Sequence, residues 1–288
     1  MTAVWKREIG SYYKSITGWL LAGFMLIFAG IFCMAYNLSG YTARFERVLS
    51  AISFIYLIAV PIISMRVLAE EKRQKTDQLL YSLPIRLSDV VLGKYLGMVT
   101  VLLFPMLILA LYPLMLSRFG TIPYVSAYGS LLAFFLLGAA LLSVGLFISS
   151  VTENQVVAAV ITLVVMLLLY FMNGLASFVP TDTFPSLIAV MLLVAVFSVV
   201  LHVLARNSIV SILTAVIGWG GVYLWYAYNK DFFSGLFPKM MKTVSVFDRF
   251  NTFVNGIFDL TAIVYYLSII CVFLFLTVQS MEKRRWNE

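Results

Sequence analysis

Residues Val48–Ser117 read VLSAISFIYLIAVPIISM, then RVLAEEKRQKTDQLLYSLPIRLSDVVLGK from Arg66 to Lys94, then YLGMVTVLLFPMLILALYPLMLS. Two apolar blocks, each able to cross a bilayer core of roughly 30 Å as a helix, flank a segment with six Lys/Arg and four Asp/Glu. A chain that interrupts its spans for a charged, helix-prone insert has built a handle there for something soluble.

The composition sets the class. Hydrophobic residues make up 62%, charged residues 11%, and the mean hydropathy is +0.99, values that exclude an ordinary water-soluble domain. Apolar stretches of span length fall at about Ile16–Tyr36, Val48–Met65, Tyr95–Ser117, Ala127–Ile148, Val156–Ala176, Leu187–Leu204, Ser208–Ala227 and Thr261–Met281. The blocks are continuous rather than alternating, which speaks against a membrane barrel. The expected fold is an all-α integral membrane protein, a polytopic helical bundle of about eight spans. If Leu187–Ala227 is one broken or re-entrant element, six full spans remain.

All 20 basic and 13 acidic residues fall outside these intervals. Ion-coupled carriers and pumps place ionisable groups inside the membrane, and intramembrane enzymes need paired acids, bases or nucleophiles there. Energy is therefore expected to arrive from outside the bilayer. A secondary carrier or channel without an ATPase is the alternative, and ion-driven flux without ATP would reveal it. With the N-terminus inside, the cytoplasm receives 13 basic residues: Lys6, Arg7, Lys14, the six of the insert, Arg206 and Lys283–Arg285. The other side receives Arg44, Arg47, Arg118, Lys230, Lys239, Lys242 and Arg249, so both termini are expected in the cytoplasm.

The first apolar block exceeds a signal-peptide core and no cleavage pattern follows it, so the first span is expected to stay. The net charge of +7 is spread over helix flanks, which suits lipid headgroups and not nucleic acid. Cys33 and Cys271 lie in apolar blocks without a CxxC and read as packing residues. Residues 1–15 place Val4, Trp5, Ile9, Tyr12, Tyr13 and Ile16 at helical steps, which predicts an amphipathic helix along the inner leaflet or else a short basic flank.

The insert, residues 66–94, reads as helix, turn, helix. Glu70–Leu83 is rich in helix formers, Glu71 and Lys75 are spaced for an i,i+4 pair, and Pro84 stops the helix. A second helix is expected to start with Ser88 or Asp89 as N-cap and to run into the third span. The product is a cytoplasmic helical hairpin whose apolar face is too small to form a core, which suits a groove on another protein; a solvated loop is the alternative.

The stretch Glu70-Glu71-Lys72-Arg73-Gln74-Lys75-Thr76-Asp77-Gln78-Leu79-Leu80, with Leu83-Pro84 and Leu92-Gly93-Lys94, resembles the segment after the second span in ABC type-2 transporter permeases. That pattern reads roughly EE+xxGTxExLLxxP, then LGK; Lys75 stands where the family usually has glycine and Gln78 where it has glutamate. The tail, Phe247-Asp248-Arg249-Phe250 through Gly256-Ile257-Phe258-Asp259 to Lys283-Arg284-Arg285-Trp286, resembles the gliding-motility and nitrous-oxide-cluster branch. The resemblance implies one membrane permease domain, 1–288, in a bacterial plasma membrane. It would pair with a second permease, identical or homologous, and export an unnamed substrate when cytoplasmic ATPase subunits dock on it. ATP and Mg would sit on that partner, because Gly93-Lys94 lacks the flanking residues of a phosphate-binding loop. The implied ATPase-coupling residues are Glu70, Glu71, Arg73, Thr76, Leu79, Leu80, Leu83 and Pro84, with Lys6 and Arg7 nearby. No cofactor, metal or catalytic residue is implied for this chain.

The outer segment 228–260 places Phe247, Phe250, Val254, Ile257 and Phe258 on one helical face, which suggests an interfacial or re-entrant helix. The resemblance implies that such an element gates the exit; a simple interfacial lid is the alternative. Gly138, Gly145 and Ser149 form a small-residue stripe for close helix packing, between spans or at a dimer seam. Single His202 reads as a packing residue, and Glu153 as part of a solvated turn.

Overall fold

The fold is described from a computed structural model over residues 1–40, 44–76, 86–118, 120–205 and 208–287; side chains at 196, 197, 199–205, 208–211, 286 and 287 are outside the description. Two compact units are present, Met1–Tyr170 with Val246–Glu288, and Phe171–Ser245. The described residues are helical or in turns and loops, without strands.

In the first unit, α1 (Thr2–Lys14) turns sharply at Ser15 into α2 (Ile16–Cys33), which ends in a π-helical turn, Met34–Leu38. The second span is segmented into α3 (Phe45–Ile52), a 3₁₀ turn (Ser53–Ile55) and α4 (Tyr56–Ser64), followed by the short α5 (Ala69–Arg73). Pro61 lies inside α4, where its missing N–H removes one rung of the helix ladder. The third span is α6 (Leu87–Leu109), with Pro105 inside it, and a new helix α7 (Tyr112–Leu116) starts with Pro113 in its first turn, where no N–H is needed.

The long α8 (Tyr124–Val151) is the most enclosed span, packed against α4, α6 and the last helix, α14 (Leu260–Asn287). The small-residue stripe explains how. A Cβ at Gly138 would stand 2.7 Å from the Tyr56 hydroxyl, and one at Gly145 would stand 2.5 Å from Ser64 Oγ. The stripe at Gly138 and Gly145 is thus filled by the chain's own α4, the first of the two expected alternatives, packing between spans. In lipid, such close backbone approach supplies the dispersion contacts that hold helices together. Buried phenols complete the seam: Tyr56 donates to the Phe134 carbonyl at 2.8 Å and Tyr95 to Ala139 at 3.1 Å.

Six helices among the described residues are long and apolar enough to cross a membrane: Ile16–Leu38, Phe45–Arg73, Leu87–Leu116, Tyr124–Val151, Gln155–Phe178 and Leu260–Arg285. Gln155–Phe178 is α9, whose end enters the second unit. There, α10 (Thr183–Ala205) and α11 (Ser208–Tyr228) form two separate antiparallel helices rather than one broken element. Trp219 Nε1 donates to the Met191 carbonyl at 3.1 Å, and a Cβ on Gly218 would lie 2.5 Å from Val194. The outer segment is divided: α12 (Leu236–Val244) belongs to the second unit, and α13 (Val246–Val254) to the first.

Both chain termini, α5 and the turn after α8 share one end of the first unit, called here the terminal end. Arg284 of α14 pairs with Glu153 of that turn at 2.8 Å, so Glu153 is an anchored carboxylate and not a lone one.

Candidate functional site

At the terminal end, α1, the end of the second span and α5 enclose a cleft of about 370 Å³. Arg7, Glu8, Ser11 and Tyr12 form the wall from α1; Arg66, Glu70, Glu71 and Thr76 form the wall from the second span and its corner.

The wall from α1 is a helix, Thr2–Lys14. It packs closely on α6 because two glycines one turn apart leave room: a Cβ at Gly93 would be 2.9 Å from Val4 Cβ, and one at Gly97 would be 2.7 Å from Glu8 Cβ. Trp5 Nε1 donates to Thr100 Oγ1 at 3.0 Å. Tyr12 is buried and donates to the Ile63 carbonyl at 2.8 Å; burial above all, then the nearby charge of Glu8, pushes its phenol far above the ordinary range, so it remains a donor.

The wall from the corner departs from the expected Glu70–Leu83 helix. α5 ends at Arg73, and a Schellman turn closes it: the Thr76 N–H bonds to Glu71 O at 3.0 Å and the Lys75 N–H to Lys72 O at 3.1 Å. This turn places Lys75 in the left-handed region at φ 55, where glycine is the unstrained choice. The family pattern has glycine at that position, and the backbone gives the reason. The expected i,i+4 pair of Glu71 with Lys75 is not among the ion pairs of the described residues. Glu71 instead lies 2.7 Å from Arg7 and 2.8 Å from Lys94, while Arg66 takes Glu70 at 3.1 Å.

Two further ties fix α5. Ser149 Oγ, at the end of α8, accepts the N–H groups of Leu68 and Ala69 at 3.3 and 3.1 Å, which satisfies orphan donors at the start of a very short helix. Lys72 is buried and its ammonium donates to the Ser150 carbonyl. α5 is therefore a ledge tied to the end of α8.

The expectation that α6 starts with a Ser88 or Asp89 cap is corrected: Leu87 is its first residue, Arg86 holds the cap position, and no side chain caps it. The expectation that charges stay outside the helical spans also needs revision, because the helices outrun the apolar blocks. Lys94 is a full turn and more inside α6 and only 1% exposed; Glu46, in the first turn of α3 at the opposite end, is 3% exposed. An acidic residue suits that helix start.

Among the expected coupling residues, Arg7, Glu70, Glu71 and Thr76 meet at the cleft, Arg73 is exposed on α5, and Lys6 is exposed on α1. Leu79, Leu80, Leu83 and Pro84 lie outside the described residues. Lys94, Glu8, Lys72 and Ser149 belong to the assembly and were not expected. A charge one turn inside an apolar helix, directly after Gly93, is the signal that marks Lys94.

The family model for ABC-2 family transporter proteins matches residues 3–276.

The chain belongs to the ABC-2 transporter family.

No curated protein and no solved structure matches it significantly. The chain is thus a multi-pass permease, a transport subunit and not itself an enzyme.

At the opposite end of the permease, α13 dips into the bundle. Phe247 rests edge-on against Tyr170, Phe250 is 1% exposed against Phe134, and Ser130 Oγ donates to the Phe253 carbonyl at 2.9 Å. The expectation that Phe247, Phe250, Val254 and Ile257 share a face holds only as far as Val254. A second Schellman turn, Ile257 N–H to Thr252 O and Gly256 N–H to Phe253 O with Gly256 at φ 81, reverses the chain. Ile257, 62% exposed, and Phe258 fall on the other side of it.

Proposed function

We propose that this permease is the membrane-spanning half of an ATP-driven exporter of the bacterial plasma membrane, with both termini cytoplasmic and cytoplasmic ATPase subunits docking at the terminal end. The observation that carries the reading is the charged ledge: α5 is a five-residue projection braced by Ser149 and Lys72 against the most enclosed span, so a push on it reaches the bundle. Glu70, Arg73 and Thr76 supply the contact face, with Lys6 and Arg7 beside it. Leu79, Leu80, Leu83 and Pro84, which lie outside the described residues, are assigned to the same docking contact by family resemblance alone.

The exposed apolar flank of α9, with Val157, Ile161, Val164 and Leu168, suits lipid or a second permease, identical or homologous. The α13 helix serves as the outer gate through Phe247, Phe250 and Val254; Ile257 is left out of the gate because it lies beyond the turn. The tail pattern supports the gliding-motility and nitrous-oxide-cluster branch.

Co-purification tests the reading. The permease should bring down a soluble ATPase, and the pair Glu70→Lys with Arg73→Glu should lower permease-stimulated ATP hydrolysis about tenfold while membrane insertion stays unchanged. Full binding and hydrolysis after deletion of the whole corner would defeat it, as would ATP-independent pumping by the permease alone.

A further inference from the structure

Behind the cleft wall, on Glu8 and Glu71, lies a buried cation, Lys94, that a docking surface does not need. Lys94 Nζ donates to the Val67 carbonyl at 2.9 Å and to Glu8 Oε1 at 3.1 Å, and lies 2.8 Å from Glu71 Oε1. An ammonium has three N–H groups, and here three acceptors surround it, one from the end of the second span, one from α1 and one from α5. Arg7 adds a second bridge, reaching Glu71 Oε1 at 2.7 Å and Glu8 Oε1 at 3.3 Å.

These contacts join elements that are far apart in sequence. α1 lies against α6 at Gly93 and Gly97, a seam that also carries the hydrogen bond from Trp5 Nε1 to Thr100 Oγ1 at 3.0 Å. The ion cluster sits at the middle of that seam. Because a buried charge separated from its partners is strongly unfavourable, α1, α5 and the start of α6 are tied to a single arrangement.

We propose that Lys94, with Glu8 and Glu71, is a charge lock that makes α1, α5 and the start of α6 one lever, so that a stroke delivered at the corner reaches the third span. This rests on the proposed ATPase docking and assigns Lys94 and Glu8 as positioning residues for coupling. The lever also gives α1 a mechanical role besides lying at a leaflet surface.

The test uses the full-length permease, alone and with its co-purified ATPase. Lys94→Met should retain the ATPase but lower permease-stimulated hydrolysis per bound ATPase about tenfold. The double variant Glu8→Lys, Lys94→Glu should recover part of it. Equal loss of binding and turnover, or no loss of either, overturns the lock.

Hydrogen exchange on the permease without ATPase separates this from the docking reading. Faster exchange in both Thr2–Lys14 and Ala69–Thr76 of Lys94→Met supports the lock even where no ATPase binds, an outcome that defeats docking alone. Unchanged exchange in either segment overturns the lock.

Discussion

Ser149 Oγ sits 3.1 Å from the Ala69 N–H and ties the last turn of the fourth span to the first turn of the corner helix. A helix of only five residues cannot sustain itself, because nucleation costs more than its few hydrogen bonds return. Its existence depends on this cap, on the buried Lys72 ammonium and on the ion pairs of Glu71.

Ser149→Ala is therefore expected to cost about 1 kcal/mol of local stability, since two N–H groups lose their acceptor in a buried place. Amide exchange at Leu68–Arg73 reads it directly. The exchange of the α8 interior should not change.

Lys75→Gly is expected to stabilise the corner by about 1 kcal/mol, because glycine adopts the left-handed conformation without the strain of a Cβ. Slower exchange at Thr76, whose N–H closes the turn, would be the signature. Lys75→Val should move it the other way.

Gly97→Leu should displace α1 from α6, since even the first side-chain carbon meets Glu8 Cβ at 2.7 Å. Overpacking of this kind costs about 1–3 kcal/mol. Protease cleavage after Lys6 and Arg7 should accelerate, while the six spans keep their protection. The smaller Gly97→Ala should show the same effect in weaker form.

Tyr12 supplies a pH-dependent readout. Its phenol, ordinarily near 10, is raised by burial and by Glu8, with Arg66 opposing, so the folded form holds its proton after the unfolded form has released it. The stabilisation is complete below about pH 10 and declines as pH rises past that value. Tyr12→Phe should reduce this alkaline slope and cost about 1 kcal/mol at neutral pH through the unpaired Ile63 carbonyl. An unaltered slope in a thermal-stability series above pH 9 would contradict it.

Apolar block length and continuity are local properties, and they were sufficient for the class of the protein, for most of its spans and for the place of its charged corner. The positions of Gly138 and Gly145 were visible too, as small residues at helical spacing. What they pack against was not, since a small residue accepts any close neighbour; only the bundle shows that Gly138 meets Tyr56 and Gly145 meets Ser64, and that Gly93 leaves room for Val4.

Charge pairing was the least legible layer. The i,i+4 rule joins Glu71 to Lys75 along a continuous helix, but a left-handed residue ends that helix and breaks the rule's premise. The same failure separates Ile257 from Phe250, where Gly256 reverses the chain. Lys94 finds Glu8 across 86 residues of sequence because two glycines let α1 settle on α6. The sequence by itself determined that charge collects at one end of an oily bundle, since water and hydrocarbon sort residues one at a time. Only the tertiary structure decided which charges share a proton-donating partner, because that depends on where the ends of three separate helices meet.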